Sequence, residues 1–234
     1  MFTLYGQNSA VWYPEFHYSM GIPGADLAKR FGPHLGIGGG LNYQAGSNNF
    51  NYGLRYTLYF GSEVKEDVLV PFRTDFEGLL IGFDQLLSEM KLRERAFLIQ
   101  FSAGGLIPVS PNTSSRKSLK WQMACGFYEH KIRFVDDARS LPQFTTAMLK
   151  GLDRLSNGIA LIPSIGYESL SNKGKFSYYA GLETVFGFTN NQRSFHYDLG
   201  ISELGKSRLD IMLQFKLAIY LPFYLGKHSE NIEY

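Results

Sequence analysis

A histidine beside a serine and a carboxylate is the one combination in this chain that could support nucleophilic chemistry, because an imidazole must be oriented by an acid before it can take a hydroxyl proton. The segment Arg193-Ser-Phe-His-Tyr-Asp198 holds all three residue types, and His17, His34 and His130 stand elsewhere, with Ser19 as a further companion. At spacings of two within a loop, Ser194, His196 and Asp198 have no defined mutual geometry, so no catalytic residue is assigned. The acidic pairs Asp136-Asp137 and Glu63-Val-Lys-Glu-Asp67 lack the ordered ligand spacing of a calcium loop. A single cysteine, Cys125, excludes an internal disulfide and any multi-cysteine metal site. The glycines of Gly36-Ile-Gly-Gly-Gly40 alternate within a strand pattern with no helix after them, which argues against a nucleotide loop. No metal site or cofactor is expected.

The other charges of interest fall into a pattern. Glu15, Arg55, Lys120, Glu183, Asp210 and Lys216 each lie on the polar face of a segment in which apolar and polar residues alternate with period two. Both signs occur, so charges facing one another across a narrow interior would neutralise, whereas an unpaired buried charge is costly. They are expected to form a polar plug, with Glu168 among the same inward charges.

Eight such alternating segments run near residues 11–20, 34–44, 49–62, 96–108, 117–134, 158–170, 175–188 and 208–224. In the last, Leu209, Ile211, Leu213, Phe215, Leu217, Ile219, Leu221 and Phe223 share one face. Successive strand side chains point to opposite faces, so this is a strand with a continuous oily side. It is long enough to cross an outer-membrane hydrocarbon core at a tilt. The connections alternate in length: compact and rich in turn formers after the second, fourth and sixth segments, and long after the odd-numbered ones. That asymmetry, with an even strand count, is how outer-membrane barrels are built, short turns and both termini lying on the periplasmic side.

Composition agrees. The 234 residues include 19 Phe, 15 Tyr and 25 Gly, with only 19% charged residues and a net charge of +2. Mean hydropathy is −0.14, and no apolar run approaches the roughly twenty residues of a spanning helix; a barrel needs none. No basic run points to nucleic acid. A soluble eight-stranded barrel would turn its apolar face inward and a charged face to water. Here the polar face is poor in charge and rich in glycine, as a crowded lumen requires, and Cys125 falls on the lipid-facing side. The fold class predicted is therefore all-β: an eight-stranded antiparallel transmembrane up-and-down barrel.

In strand count, loop asymmetry and face chemistry, the chain resembles the small eight-stranded outer-membrane barrels of the OmpA-transmembrane, OmpX and OmpW type. Its Tyr/Gly-rich style looks like the versions found in Bacteroidota. The resemblance covers nearly the whole chain and is architectural, so it transfers no functional residue. It implies an integral outer-membrane protein in contact with membrane lipids and lipopolysaccharide. Residues 11–224 would form the barrel. Residues 1–10 would hold a signal-peptide remnant or an ordinary N-terminal segment, and 225–234 a periplasmic tail.

The long connections carry the remaining signal. Leu79, Leu80, Phe83, Leu86, Leu87 and Met90 recur at helical spacing, as do Phe144, Met148, Leu152 and Leu155. Two amphipathic loop helices are expected, packing over the barrel rim, docking a protein partner, or both. Phe83, Leu87, Met90, Phe144 and Met148 are the docking candidates. Because an eight-stranded interior is just wide enough to be filled by its own side chains, the expected role is non-enzymatic: an accessory or scaffold subunit of an outer-membrane assembly. A narrow channel or binder for a small apolar molecule, and a lipid A-modifying enzyme, stand as alternatives.

Overall fold

A computed structural model describes residues 10–45, 49–75, 78–110, 115–171 and 177–225. The strands of the main sheet are β1 (Ala10–Gly24), β2 (His34–Gln44), β3 (Phe50–Gly61), β6 (Lys91–Ser110), β7 (Ser115–Val135), β8 (Ser156–Ser171), β9 (Ser177–Asn191) and β10 (Ser207–Tyr220), with β11 (Phe223–Leu225) continuing β10. Each strand pairs antiparallel with its neighbour in the chain, and β1 pairs with β10, so the sheet closes into the expected up-and-down barrel. The break at Leu221-Pro222, inside what the alternation reads as one strand, separates β10 from β11; it lies opposite Pro14 of β1, which accepts from the Leu221 amide but has no amide hydrogen to return to the ladder.

The period-two pattern sorts the side chains. On β3, Asn51, Arg55, Thr57 and Tyr59 are buried, while Tyr52, Leu54, Tyr56 and Leu58 are exposed. Around the wall, Phe16, Met20, Ile37, Phe101, Met123, Leu182, Leu213 and Phe215 are likewise exposed, and Cys125 is on this outer face. An apolar belt of this extent is stable against lipid tails and not against water. Aromatic residues flank it. Trp12 stacks on Tyr43 at 4.8 Å near the short-turn end, and Tyr56, Phe97 and Phe127 contact one another in series toward the long-loop end.

At the long-loop end a folded cap closes the mouth. It comprises α1 (Ala25–Arg30), a short 3-10 turn (Val70–Phe72), a two-stranded hairpin of β4 (Leu80–Ile81) and β5 (Leu87–Ser88), and α2 (Thr146–Lys150). Two expectations are corrected here. The apolar residues of 79–90 form the hairpin and not a helix. Asp84 accepts from the Leu86 amide at 3.1 Å, Gln85 takes positive φ, and the Gly82 amide donates to the Leu86 carbonyl at 2.7 Å. The turn chemistry of Gly82-Phe-Asp-Gln85 therefore overrides the helical periodicity around it. The second predicted helix is real but only five residues long, α2, started by the Thr145 side chain accepting from the Met148 amide at 3.3 Å. The first long loop contains α1.

Leu27 and Phe31 of α1 and its exit, Val68 and Leu69, Leu80, Met90, Leu141, Phe144 and Leu152 join Tyr59, Leu98, Tyr128 and Ile132 of the strands in one buried cluster. Cap and upper barrel thus share a core. A smaller cluster at the opposite end holds Val11, Tyr13, Leu170, Tyr179, Ala218 and Tyr220. Residues 1–9 and 226–234, where a signal-peptide remnant and a periplasmic tail are expected, and the innermost residues of the short turns lie outside the described residues.

Candidate functional site: the filled lumen and its cap

The six inward charges named from the alternation are all buried, and the register brings them together in three levels. Nearest the short turns, Lys120 reaches Glu168 at 2.8 Å and sits over the rings of Tyr13 and Tyr220, at 5.2 and 5.3 Å from their centroids. Its ammonium also donates to the Tyr13 hydroxyl at 3.2 Å. With the Tyr179 ring at 5.8 Å, three phenol rings and one carboxylate around a single ammonium replace its water shell.

Midway, four charges form one connected group. Arg55 lies 3.3 Å from Glu15 and 3.7 Å from Glu183, and Lys216 lies 3.0 Å from the same Glu183 oxygen. Asn42 donates to Glu15 at 2.6 Å, Arg55 to Ser102 at 3.1 Å, and Arg55 also bonds Gln122. Two carboxylates and two cations balance; the Asn42 and Gln214 amides donate to Glu15 and Glu183, and Ser102 and Gln122 accept from the guanidinium. This is the condition under which buried charge is tolerated. The space such a network needs comes from glycine: a Cβ at Gly40 would stand 2.8 Å from the Arg55 side chain, and one at Gly53 2.6 Å from Asn42.

Higher still, Asp210 accepts from Thr189 at 2.5 Å and lies 2.8 Å from His130. Beside it, His34 stands 3.3 Å from Glu94, both fully enclosed. Sequence reasoning left out Glu94, because it lies just before the predicted start of its strand, which begins at Lys91 and not at 96.

The histidines divide cleanly on the question of catalysis. His17 lies 2.9 Å from the Thr57 hydroxyl and 3.0 Å from Glu15, the connectivity of a nucleophile, base and orienting acid. All three are buried among lumen side chains, and Glu15 is shared with Arg55 and Asn42. No substrate carbonyl can reach that hydroxyl, so the chain of bonds acts as packing. The Arg193–Asp198 segment does not assemble a site either. Ser194 is exposed and His196 buried. The lone pair of His196 Nδ1 faces the Arg154 guanidinium at 2.8 Å, and Asp198 is held by the two terminal nitrogens of the same guanidinium at 2.9 and 2.5 Å. Burial first, and then Arg154, lower the pKa of His196, keeping the ring neutral with its basic nitrogen already engaged.

Arg154 is the hub of the cap. It also donates to Glu66 at 2.5 Å, and Arg30 donates to the other oxygen of Glu66 at 2.8 Å. Arg30 in turn donates to the Arg154 carbonyl at 2.9 Å and to Ser156 at 3.2 Å. Burial would raise the Glu66 carboxyl, but Arg30 and then Arg154 outweigh it and hold the pKa at about 2. Three of the four long connections meet α1 in this network.

The five docking candidates separate. Phe83, at the hairpin tip, is 72% exposed, and Leu87 is exposed beside it. Met90 and Phe144 are 4% and 9% exposed and belong to the shared core, with Met148 packed against it. The hairpin turns Met90 inward, Phe144 meets Phe72 edge-on at 5.6 Å, and Met148 is half-buried. Ile81 and Leu86 are exposed instead.

No protein-family model matches the chain, and no curated protein matches it. Among solved structures, the neisserial surface protein A is similar at 10% identity, covering 91% of this chain and 97% of that one, with a TM-score of 0.51. The N-terminal barrel domain of OprF from Pseudomonas aeruginosa (12% identity, 92% and 99% covered, TM-score 0.38) and the attachment invasion locus protein Ail of Yersinia pestis (10%, 92% and 99%, 0.40) are weaker likenesses. At these identities the likeness to the neisserial barrel concerns the fold. Closed register, inward charge, outward apolar belt and that likeness give one conclusion: the chain folds as an eight-stranded antiparallel β-barrel of the small outer-membrane type.

Proposed function

We propose that this barrel resides in the outer membrane, with its short turns and both ends periplasmic, as a non-enzymatic accessory or scaffold subunit of a larger outer-membrane assembly. Secretion, barrel-assembly and uptake machinery are the classes such a subunit would serve. The observation that supports this reading is a contrast within one molecule. The lumen is filled by ion-paired side chains, while the cap, beyond the lipid belt, leaves Ile81, Phe83, Leu86 and Leu87 exposed on a single hairpin. A filled lumen counts against conduction and against an internal ligand. An apolar face outside the membrane is stabilised by covering it with another protein.

The test is purification of the tagged chain from native membranes in a gentle detergent, alongside a variant carrying Ile81→Ser, Phe83→Ser, Leu86→Ser and Leu87→Ser. A fixed set of envelope proteins retained by the parent and lost by the variant is the expected result. A clean monomer in both preparations would sink the scaffold reading.

A further inference from the structure

The outer wall carries one strongly charged patch that neither the plug nor the cap uses. On β6 and β7 near the long-loop end, the inward residues are Glu94, Ala96, His130 and Ile132, all buried. Their neighbours Arg93, Arg95, Lys131 and Arg133 therefore point outward. The register sets Arg93 directly opposite Arg133 and Arg95 directly opposite Lys131. Like charges facing one another across a ladder are destabilising, and here two such pairs are stacked. None of the four has an ion-pair partner among the described residues, although nearby Lys91 is matched by Asp137 at 2.9 Å. Of the acids beside them, Asp137 lies within the field of Arg93 but is already paired with Lys91, and Glu129, one pair lower opposite Phe97, accepts from Asn157 at 3.4 Å.

Height decides what can supply the missing charge. Phe97 is the next outward residue below Arg95 on β6, and it packs on Phe127 at 6.0 Å and Tyr56 at 6.1 Å, in the aromatic rim of the lipid belt. Two residues of strand rise about 7 Å, so the four cations stand at headgroup level just above the acyl chains. The wall beside them is hollowed: a cavity of about 410 Å³ lies between Leu35, Phe60, Ser62, Arg93 and Arg95. Guanidinium groups match phosphate oxygens in a bidentate fork.

We propose that Arg93, Arg95, Lys131 and Arg133 bind the phosphates of an anionic lipid headgroup in the leaflet at the long-loop end. The site is separate from the hairpin surface of the scaffold reading, and either assignment can fail without the other. The test uses the full chain in dodecyl maltoside, with binding to bisphosphorylated lipid A, to zwitterionic phosphatidylcholine and to inorganic phosphate measured by native mass spectrometry and thermophoresis.

The parent should bind lipid A in preference to phosphatidylcholine, with affinity falling as salt rises. A variant with Arg93→Gln, Arg95→Gln, Lys131→Gln and Arg133→Gln should bind lipid A about tenfold more weakly or worse, whereas Arg93→Lys, Arg95→Lys and Arg133→Lys together, which keep the charge and lose the fork, should fall between the two. Equal affinity in the parent and the glutamine variant would overturn the proposal. So would displacement of lipid A by inorganic phosphate at matched concentration, which would mark a site for free anion. If the fourfold variant loses the gel-mobility shift of a folded barrel, Arg93→Gln with Arg133→Gln carries the test: a several-fold loss supports the site and unchanged binding refutes it.

Discussion

Arg55 in the lumen and Arg154 in the cap each organise a network of carboxylates, but they obtain their partners in different ways. Every partner of Arg55 rides on a strand: Glu15 on β1, Ser102 on β6, Gln122 on β7, Glu183 on β9. Once the ladders are in register, the charges have nowhere else to go. The partners of Arg154 come from separate loops, Glu66 after β3 and His196 and Asp198 after β9, and Arg154 itself adopts φ of +53° to meet them. The lumen network is a product of the fold; the cap network is part of what holds the cap's fold in place. Burial differs accordingly: the side chains of Glu15 and Glu183 are almost fully enclosed, whereas that of Glu66 is one-third exposed (33%).

That difference can be broken experimentally at several strengths. The largest effect is expected from Arg55→Met, which leaves two enclosed carboxylates short of a cation and should cost about 3–5 kcal/mol, read by urea titration of the folded, gel-shifted barrel. Phe144→Ala removes a ring from the core that cap and barrel share. It should cost about 3 kcal/mol, and hydrogen exchange should show the loss first in 62–90 and 136–155, with the strands toward the short-turn end unaffected.

Acid should separate the two regions without mutation. The folded pKa of Glu66 is depressed, so its contribution to the cap is complete above the unfolded value of about 4.3 and disappears as pH falls toward about 2. Limited proteolysis of the cap should rise across that window. Replacing Glu66 with Gln should reduce the pH dependence in that window, leaving the smaller share carried by Asp26 and Glu203, whose carboxyls are also lowered by their lysine partners. His196 works in the same direction at higher pH: its lowered pKa means that the unfolded chain takes up a proton first, so its contribution declines as pH falls below about 6.5.

Smaller again, Thr145→Ala should remove the cap of α2 at a cost of about 1 kcal/mol, seen as local exchange in 145–151. Phe83→Ser should change stability by less than about 0.5 kcal/mol, since its ring touches solvent. A large loss on Phe83→Ser would mean that the hairpin tip is core after all, and would remove the docking surface.

The same division governs how much could be read from the sequence. Alternation alone placed Glu15, Arg55, Lys120, Glu183, Asp210 and Lys216 inside, because a one-residue error in register would turn the whole oily face inward. It also gave the eight strands and the order of long and short connections. The partners in the cap were not legible. Nothing in Glu63-Val-Lys-Glu-Asp67 distinguishes Glu66 from a solvated acid until α1 brings Arg30 against it. Period failed in 79–90 for a related reason: six apolar residues at helical spacing also suit a hairpin whose turn is fixed by Gly82, Asp84 and Gln85. Met90 and Phe144, which the spacing offers for rim packing or docking alike, lie in the core that cap and barrel share.

The join between first and last strands carries a consequence for assembly. Closing the sheet pairs Glu15 with Tyr220 and Val11 with Tyr224, contacts between opposite ends of the chain. Such contacts reward the chain only after a large loss of entropy, so they are expected to form late and slowly. Until then β1 and β10 are raw edges, each a template for a second copy. Pro14 stands in β1 with its backbone turned toward β10. It lacks the amide hydrogen an intruding strand would need there, which makes that stretch of a waiting edge a poor template. The finished seam still gains one bond beside the gap, from the Leu221 amide to the Pro14 carbonyl at 3.1 Å. A slightly weaker seam is thereby exchanged for a half-built barrel less prone to aggregate.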